Sequence, residues 1–245
     1  MGTITRLSEQ LALGAGRVGV PREQLERFLR GGYVPQPKQL LFHAACHAAD
    51  DLHNPSEIGF GGAKGPGKSH AMFAQITLDD CQRYPGLKVL MLRKVGKSLR
   101  ESTDDLRAKL LRYVAYKHNK VSGTIEFPNG SMVKLGHFRN ESDIDSYMGL
   151  EYDEIAIEEC TTLSSDKYKL IRTCLRTSKP DWRPRTYSNA NPGGVGHSFY
   201  YRHFIKGEPG TIFIPATYRD NAFLNEEYIE TLESLTINGK KVNED

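Results

Sequence analysis

No stretch of this 245-residue sequence approaches the ~18 consecutive apolar residues that a membrane-spanning helix needs, so no membrane partner is expected. The N-terminal MGTITRLSEQLALGAGRVG is only mildly apolar and is broken by Glu9 and Gln10, which excludes a signal-peptide core. Cysteine is scarce: the four stand at 46, 81, 160 and 174 with no C-x-x-C pair, a pattern of reduced thiols rather than a disulfide framework. Glycine (23) and proline (12) are too few for a low-complexity chain. Charge of one sign is also in short supply. With 33 Lys+Arg against 30 Asp+Glu the net charge is +3, too small to declare a nucleic-acid partner by itself. His43 and His47 sit one helical turn apart, but no Glu follows His43 and no third ligand lies nearby, so they read as a plain helical pair.

What is present alternates strand and helix. Pro21 to Leu29 reads as a short amphipathic helix stopped by Gly31 and Gly32, and a proline-spaced loop, YVPQPKQ, leads into a second helix ending about Ala49. Strands are expected at Glu57–Phe60, Lys88–Leu92, Glu154–Ile157, Arg185–Asn189 and Thr211–Thr217, with helices beginning after Lys68, Ser98, Ser165 and Gly196. An extra hairpin, Thr124 to Phe138, turns at Pro128-Asn129-Gly130. Short apolar runs alternating with helices imply an α/β fold with a mostly parallel sheet covered on both faces. No repeat or flexible linker divides the chain. The expected organisation is an N-terminal helical extension (1–32), one α/β domain (33–235) and a tail (236–245).

Directly after the first expected strand comes GGAKGPGKSH, in which Gly62, Gly67, Lys68 and Ser69 satisfy G-x-x-x-x-G-K-[ST]. Glycines let successive backbone N–H groups curl around phosphate oxygens, and the helix that follows adds its dipole and free N–H groups. Residues Gly62, Ala63, Lys64, Gly65, Pro66, Gly67, Lys68, Ser69 and His70 are therefore the expected nucleotide-binding loop. Lys68 would reach the β and γ phosphates, the Ser69 hydroxyl would bind Mg²⁺, and Lys64 would aim a second charge at the γ-phosphate.

The run YDEIAIEECTTL leads apolar residues into Glu158-Glu159. Carboxylates at the C-terminal end of a parallel strand fall beside a phosphate loop on the neighbouring strand. Glu158 is assigned to Mg²⁺, and Glu159 to orienting and deprotonating the attacking water. Asp153 and Glu154 precede the apolar residues and belong at the opposite end of the strand.

GGAKGPGKS, IAIEE, YVPQPKQ, VLMLRKVGKSLRES and SNANPGGVGHSFYYRHF together resemble the ATPase domain of tailed-phage large terminases, the motors that package viral DNA. The resemblance spans about residues 33 to 235. It implies a P-loop NTPase fold of the ASCE type, ATP with Mg²⁺, double-stranded DNA as the translocated partner, and a homo-oligomeric ring. It implies also the portal protein and the small terminase subunit as partners, in the host cytoplasm at the procapsid portal. By that resemblance Gln39 would contact adenine, Lys64 would replace the basic residue of the family's phosphate loop, and Ser188-Asn189-Ala190-Asn191 would couple γ-phosphate loss to movement. Two departures stand out: Glu158 occupies a metal position that is usually Asp, and Met148 stands where many relatives place a basic residue that serves the neighbouring subunit. Arg139, Arg100 and Arg172 are the candidates for that trans finger. No acidic constellation remains for the nuclease that normally follows, so no nuclease activity is expected. A helicase or recombination-type DNA-dependent ATPase and a P-loop kinase are the alternatives.

Arg93 to Lys117 contains eight basic residues and Lys167 to Arg185 seven. Lys169, Arg172 and Arg176 would share one helical face, a stripe that could track DNA phosphates or be neutralised by neighbouring acids.

Overall fold

The computed structural model describes residues 2–234, 236–237 and 240–241. Of the tail expected at 236–245, residues 238–239 and 242–245 therefore lie outside the described residues.

Two N-terminal helices, α1 (Gly2–Arg17) and α2 (Arg22–Arg30), precede α3 (Pro37–Ala48). Only the second and third are legible in the sequence; α1 carries glycines at 14 and 16 that blur its period. Helix α2 buries Leu25 and Phe28, and with them Gln24. The Gln24 amide nitrogen donates to Asp79 at 2.8 Å and to Gln75 at 3.2 Å, so the donor of a polar side chain on an apolar face is satisfied internally. Pro37 starts α3, and Gln36 and Gln39 cap it reciprocally.

The α/β body begins with β1 (Glu57–Gly62) and α4 (Lys68–Ala74). That helix continues through a π-helical stretch, Gln75–Asp80, into α5 (Cys81–Arg83). Then follow β2 (Lys88–Arg93), α6 (Gly96–Leu110), β3 (Lys117–Asn119), β4 (Thr124–Glu126), β5 (Met132–His137), β6 (Glu154–Ile157) and α7 (Ser165–Arg172). The body ends with β7 (Arg185–Ala190), α8 (His197–Tyr200) running on into a π-helical Tyr201–Ile205, β8 (Thr211–Ala216) and α9 (Glu226–Ser234). Among the described residues no helix is long and apolar enough to cross a membrane.

Eight strands form one sheet in the order β3-β4-β5-β2-β6-β7-β1-β8. The six from β5 to β8 run parallel, and β3 and β4 are antiparallel at one edge. The expected hairpin at Thr124–Phe138 is present, but its second strand pairs in parallel with β2, with Val89 opposite Val133. It is therefore part of the central sheet and not an insertion beside it. The turn signal is local, whereas the parallel partner lies 44 residues back, where local pattern carries no information. Strand β7 lies between β1 and β6, so the phosphate-loop strand and the acidic strand are separated by one strand.

Charged groups lock the end of the sheet remote from the phosphate loop. Glu57, at the start of β1, accepts hydrogen bonds from Tyr168 Oη (2.7 Å) and His203 Nε2 (2.8 Å) and pairs with Arg172 (2.9 Å). Asp153 accepts from the Lys88 amide (2.8 Å) and from Lys179 (2.8 Å). Arg185 is fully buried, stacked on Trp182, and donates to Asp50 (2.6 Å) and to the carbonyl of Cys46 (3.0 Å). Burial and Asp80 hold the Glu154 carboxyl well above the usual carboxylate range. His43 is buried between Tyr33 and Gln75 and pushed down to about 4 by that burial, so it serves the core. All four cysteines are buried free thiols.

Candidate functional site

The loop between β1 and α4 is a cradle of glycines. Gly62, Gly65 and Gly67 have φ of 128°, 94° and 76°. At Gly67 the positive φ strains any side chain, and a Cβ would stand 2.6 Å from Gln39 Nε2, displacing the amide that bonds the Gly67 carbonyl. Gly67 is also the residue preceding α4, whose first-turn amides face the loop.

Lys68 is only 8 % exposed. Its Nζ donates to Asn191 Oδ1 at 2.8 Å and to the Ala63 carbonyl. Burial pushes its ammonium down to about 8, against the opposing pull of Glu159 and Glu158. Lys64 is exposed, and Ser69 is half-buried.

The two glutamates leave the C-terminal end of β6 in different environments. Glu158 is 1 % exposed, and burial raises its carboxyl above the usual range, while Ser69, Arg93 and Asn189 pull it back. Its Oε1 is buried and lacks a hydrogen-bond partner of good geometry among the described residues. Glu159 is more open and is the only non-glycine residue with positive φ (52°) among the described residues. Such a conformation costs roughly 1–3 kcal/mol and persists only where neighbours enforce it. Here the Glu159 amide donates to Asn189 Oδ1 (2.9 Å), and its carbonyl accepts from Thr162 Oγ1 (2.7 Å).

The segment expected to couple sits between these groups because β7 does. Asn191 touches Lys68, Asn189 touches Glu159, and the Asn191 carbonyl accepts from Thr161 Oγ1 at 2.9 Å. Ser188 points to the other side, 3.1 Å from Tyr200 Oη, and Ala190 is buried. The glycines of NPGGVG let the following loop lie on the Glu159 turn: Gly196 N donates to the Thr161 carbonyl (2.8 Å). A Cβ on Gly196 would fall 2.1 Å from the Leu163 carbonyl.

Beside the loop lies a cavity of about 330 Å³ lined by Tyr33, Val34, Gln39, His70, Asn221 and Phe223 among others. Tyr33 and His70 stack with ring centroids 5.5 Å apart. The Gln39 amide borders this cavity and ties α3 to the loop, accepting from Gln36 N (2.9 Å) and donating to the Gly67 carbonyl (3.2 Å). Asn221 closes the other side, donating to the Gly65 carbonyl (2.6 Å) while accepting from Gln36 (2.8 Å).

Of the three trans-finger candidates, Arg139 and Arg100 are exposed. Arg172 is bound to Glu57 at the opposite end of the sheet and packs over Tyr168. The basic face expected from Lys169, Arg172 and Arg176 is likewise broken up: Arg172 is held by Glu57, and Arg176 lies 3.6 Å from Glu151. Lys167 and Lys179 pair with Asp145 and Asp153. In the first cluster Lys94, Arg100, Arg112 and Lys117 are exposed, as are Lys97 and Lys109 beside Glu101 and Asp105.

Sequence reasoning did not identify Arg93. Its guanidinium bridges both glutamates, 2.7 Å from Glu159 and 3.4 Å from Glu158. The available signal was positional: Arg93 ends one apolar strand and the glutamates end another, and the register Leu92 to Ile157 makes those ends neighbours.

Residues 54–243 match the family described as phage terminase large subunit. The large terminase of a thermophilic bacteriophage has a similar fold (TM-score 0.68, 17 % identity), the match covering 80 % of this chain and 49 % of that one. The same thermophilic-phage protein in complex with ADP gives a TM-score of 0.66 at 18 % identity, over 80 % of this chain and 48 % of the other. The ATPase domain of the Thermus phage P74-26 large terminase gives 0.59 at 15 % identity, covering 85 % of this chain and 91 % of that domain. The chain thus spans about half the length of the thermophilic-phage terminase. No curated protein matches the sequence.

Proposed function

The chain belongs to the phage terminase large subunit family, and on that premise we propose that it is the ATP-hydrolysing motor part of a machine that packages double-stranded viral DNA. The observation that carries this reading is the convergence of Lys68, Asn191, Asn189, Glu158 and Glu159 at the ends of three adjacent strands. The glycine cradle and Lys68 would hold the triphosphate, and the cavity beside Gln39 would take the base, with Tyr33 and His70 against its face. Ser69 and the orphaned Oε1 of Glu158 suit a Mg²⁺ ion. Among the described residues no group of three or more His, Cys, Asp or Glu side chains could hold a metal unaided. The ion would be shared between Ser69, Glu158 and the phosphate oxygens of the nucleotide. The ion would supply charge neutralisation on the phosphates.

Glu159 orients a water and accepts its proton as the water oxygen bonds to the γ-phosphorus and the bond to the bridging oxygen breaks. Lys68 balances negative charge on the phosphate oxygens. Asn189 accepts from the Glu159 amide while Asn191 accepts from Lys68, which suits a segment that senses the γ-phosphate. DNA phosphates would meet the exposed Lys94, Arg100, Arg112 and Lys117, since five of the seven basic residues in the second cluster are paired with acids. Subunits of a ring would complete each other's sites through Arg139 or Arg100, at the portal and with the small subunit in the host cytoplasm. This part of the machine would have no nuclease activity, and plasmid nicking with Mn²⁺ tests that. The decisive experiment is calorimetric titration with ATP and ADP, followed by phosphate release with and without duplex DNA. Folded protein that takes up neither nucleotide overturns the reading.

A further inference from the structure

Arg93 stands where two carboxylates meet, and its partners lie 65 and 66 residues away in sequence. Its side chain is 20 % exposed, and its Nε is buried without a hydrogen-bond partner. An arginine and a single carboxylate frequently pair as a two-bonded fork. This one divides its two terminal nitrogens between Glu158 Oε2 and Glu159 Oε1. The Glu159 backbone is already fixed by Asn189 and Thr162, so the orientation of its carboxylate is the one remaining freedom. Arg93 removes it.

We propose that Arg93 is a positioning residue for the glutamate pair: it fixes Glu159 Oε1, leaving Oε2 to the attacking water, and offsets the pair's negative charge so that a triphosphate can enter. The inference rests on the ATPase reading. Without Arg93, Glu158 and Glu159 would present two adjacent carboxylates to an incoming polyanion with Lys68 alone to offset them, and the repulsion is weakly screened in a half-buried site.

The test separates charge from geometry, using the chain with ATP in EDTA and then with Mg²⁺. In EDTA, Arg93→Gln weakens ATP binding about 10-fold, and adding Glu159→Gln restores most of that loss because the uncompensated charge is gone. Arg93→Lys keeps the charge and holds EDTA affinity within about 3-fold, yet lowers kcat about 10-fold at unchanged KM because the planar fork is lost. A merely architectural arginine would show no rescue by Glu159→Gln. Unchanged EDTA affinity in Arg93→Gln, or a loss that Glu159→Gln does not relieve, overturns the inference while wild-type ATP binding leaves the ATPase reading standing. A wild-type chain that binds no ATP overturns both.

Discussion

The backbone amide of Glu159 donates to Oδ1 of Asn189 at 2.9 Å while Glu159 itself holds a left-handed conformation. The strained turn that presents the proposed base is thus pinned by the strand that would sense the phosphate. Asn189→Ala leaves that amide without its acceptor and lets the turn relax. Turnover is expected to fall about 10-fold, with ATP affinity changed by less than about 3-fold. Glu159→Gln should keep binding and lower turnover by about 10² or more, as removal of a general base does. Steady-state phosphate release and calorimetry on both variants check this.

Lys68 gives a proton signature. Its folded pKa is lowered to about 8 by burial, from the ordinary 10.5. Below about pH 8 the folded chain bears the full cost of a buried ammonium, and this cost is relieved as pH rises from 8 towards 10.5, so this residue's contribution to stability increases over that window. A bound triphosphate favours the charged form. ATP binding at pH 9 should therefore take up protons and at pH 6.5 should take up far fewer, measured by calorimetry in buffers of different ionisation enthalpy.

The Glu57 cluster at the far end of the sheet should behave as a stability device. His203 is raised above 6.5 through Glu57 and Glu208, so its contribution is fully present below pH 6.5 and is lost as pH rises through the raised value. Glu57 is held below its usual 4.5 chiefly by His203 and Tyr168, acting against burial, so its contribution is lost as pH falls through that lowered value. Glu57→Ala strands Arg172 and the buried Tyr168 hydroxyl, leaves His203 with Glu208 alone, and should cost about 3 kcal/mol in urea unfolding. Little change would mean that the cluster is not a clamp.

Gly196→Ala sets a methyl group against the Leu163 carbonyl, forcing the NPGGVG loop off the Glu159 turn. A loss of about 1–3 kcal/mol in stability is expected, with turnover reduced more than nucleotide affinity. Retained turnover would separate the loop from the mechanism.

If subunits complete one another's sites, phosphate release per subunit should rise with protein concentration, since a supplied arginine is worth about 10³ or more. Arg139→Ala or Arg100→Ala should abolish that rise, and Arg172→Ala should instead lower stability. A flat dilution series would point to sites complete within one chain.

The phosphate loop was legible because all its parts are contiguous: strand, glycines, lysine and helix follow in order. The acidic pair was legible because apolar residues lead into it. Arg93, by contrast, acquires its meaning only from the pairing of β2 with β6, which sequence periodicity does not reveal. The same non-locality hid the parallel partner of β5. Helical pattern suggested a basic stripe of Lys169, Arg172 and Arg176, but α7 ends at Arg172 and leaves Arg176 outside it, and the acids that neutralise the two arginines, Glu57 and Glu151, come from other elements. The π-helical turn at Gln75–Asp80 carries no sequence period of its own; it brings Gln75, Asp79 and Asp80 into one interior network with Gln24 and Tyr187.

The ion pairs of Glu57, Asp153 and Arg185 all grip the same end of the sheet. At the opposite tip, Asn189 is joined to the Glu159 amide and Asn191 to Lys68 and Thr161 by hydrogen bonds between uncharged or singly charged groups. The chain leaves the tip of β7 through the NPGGVG loop directly into α8, so a displacement of Asn189 and Asn191 would pass first along that loop, away from the ion-paired root.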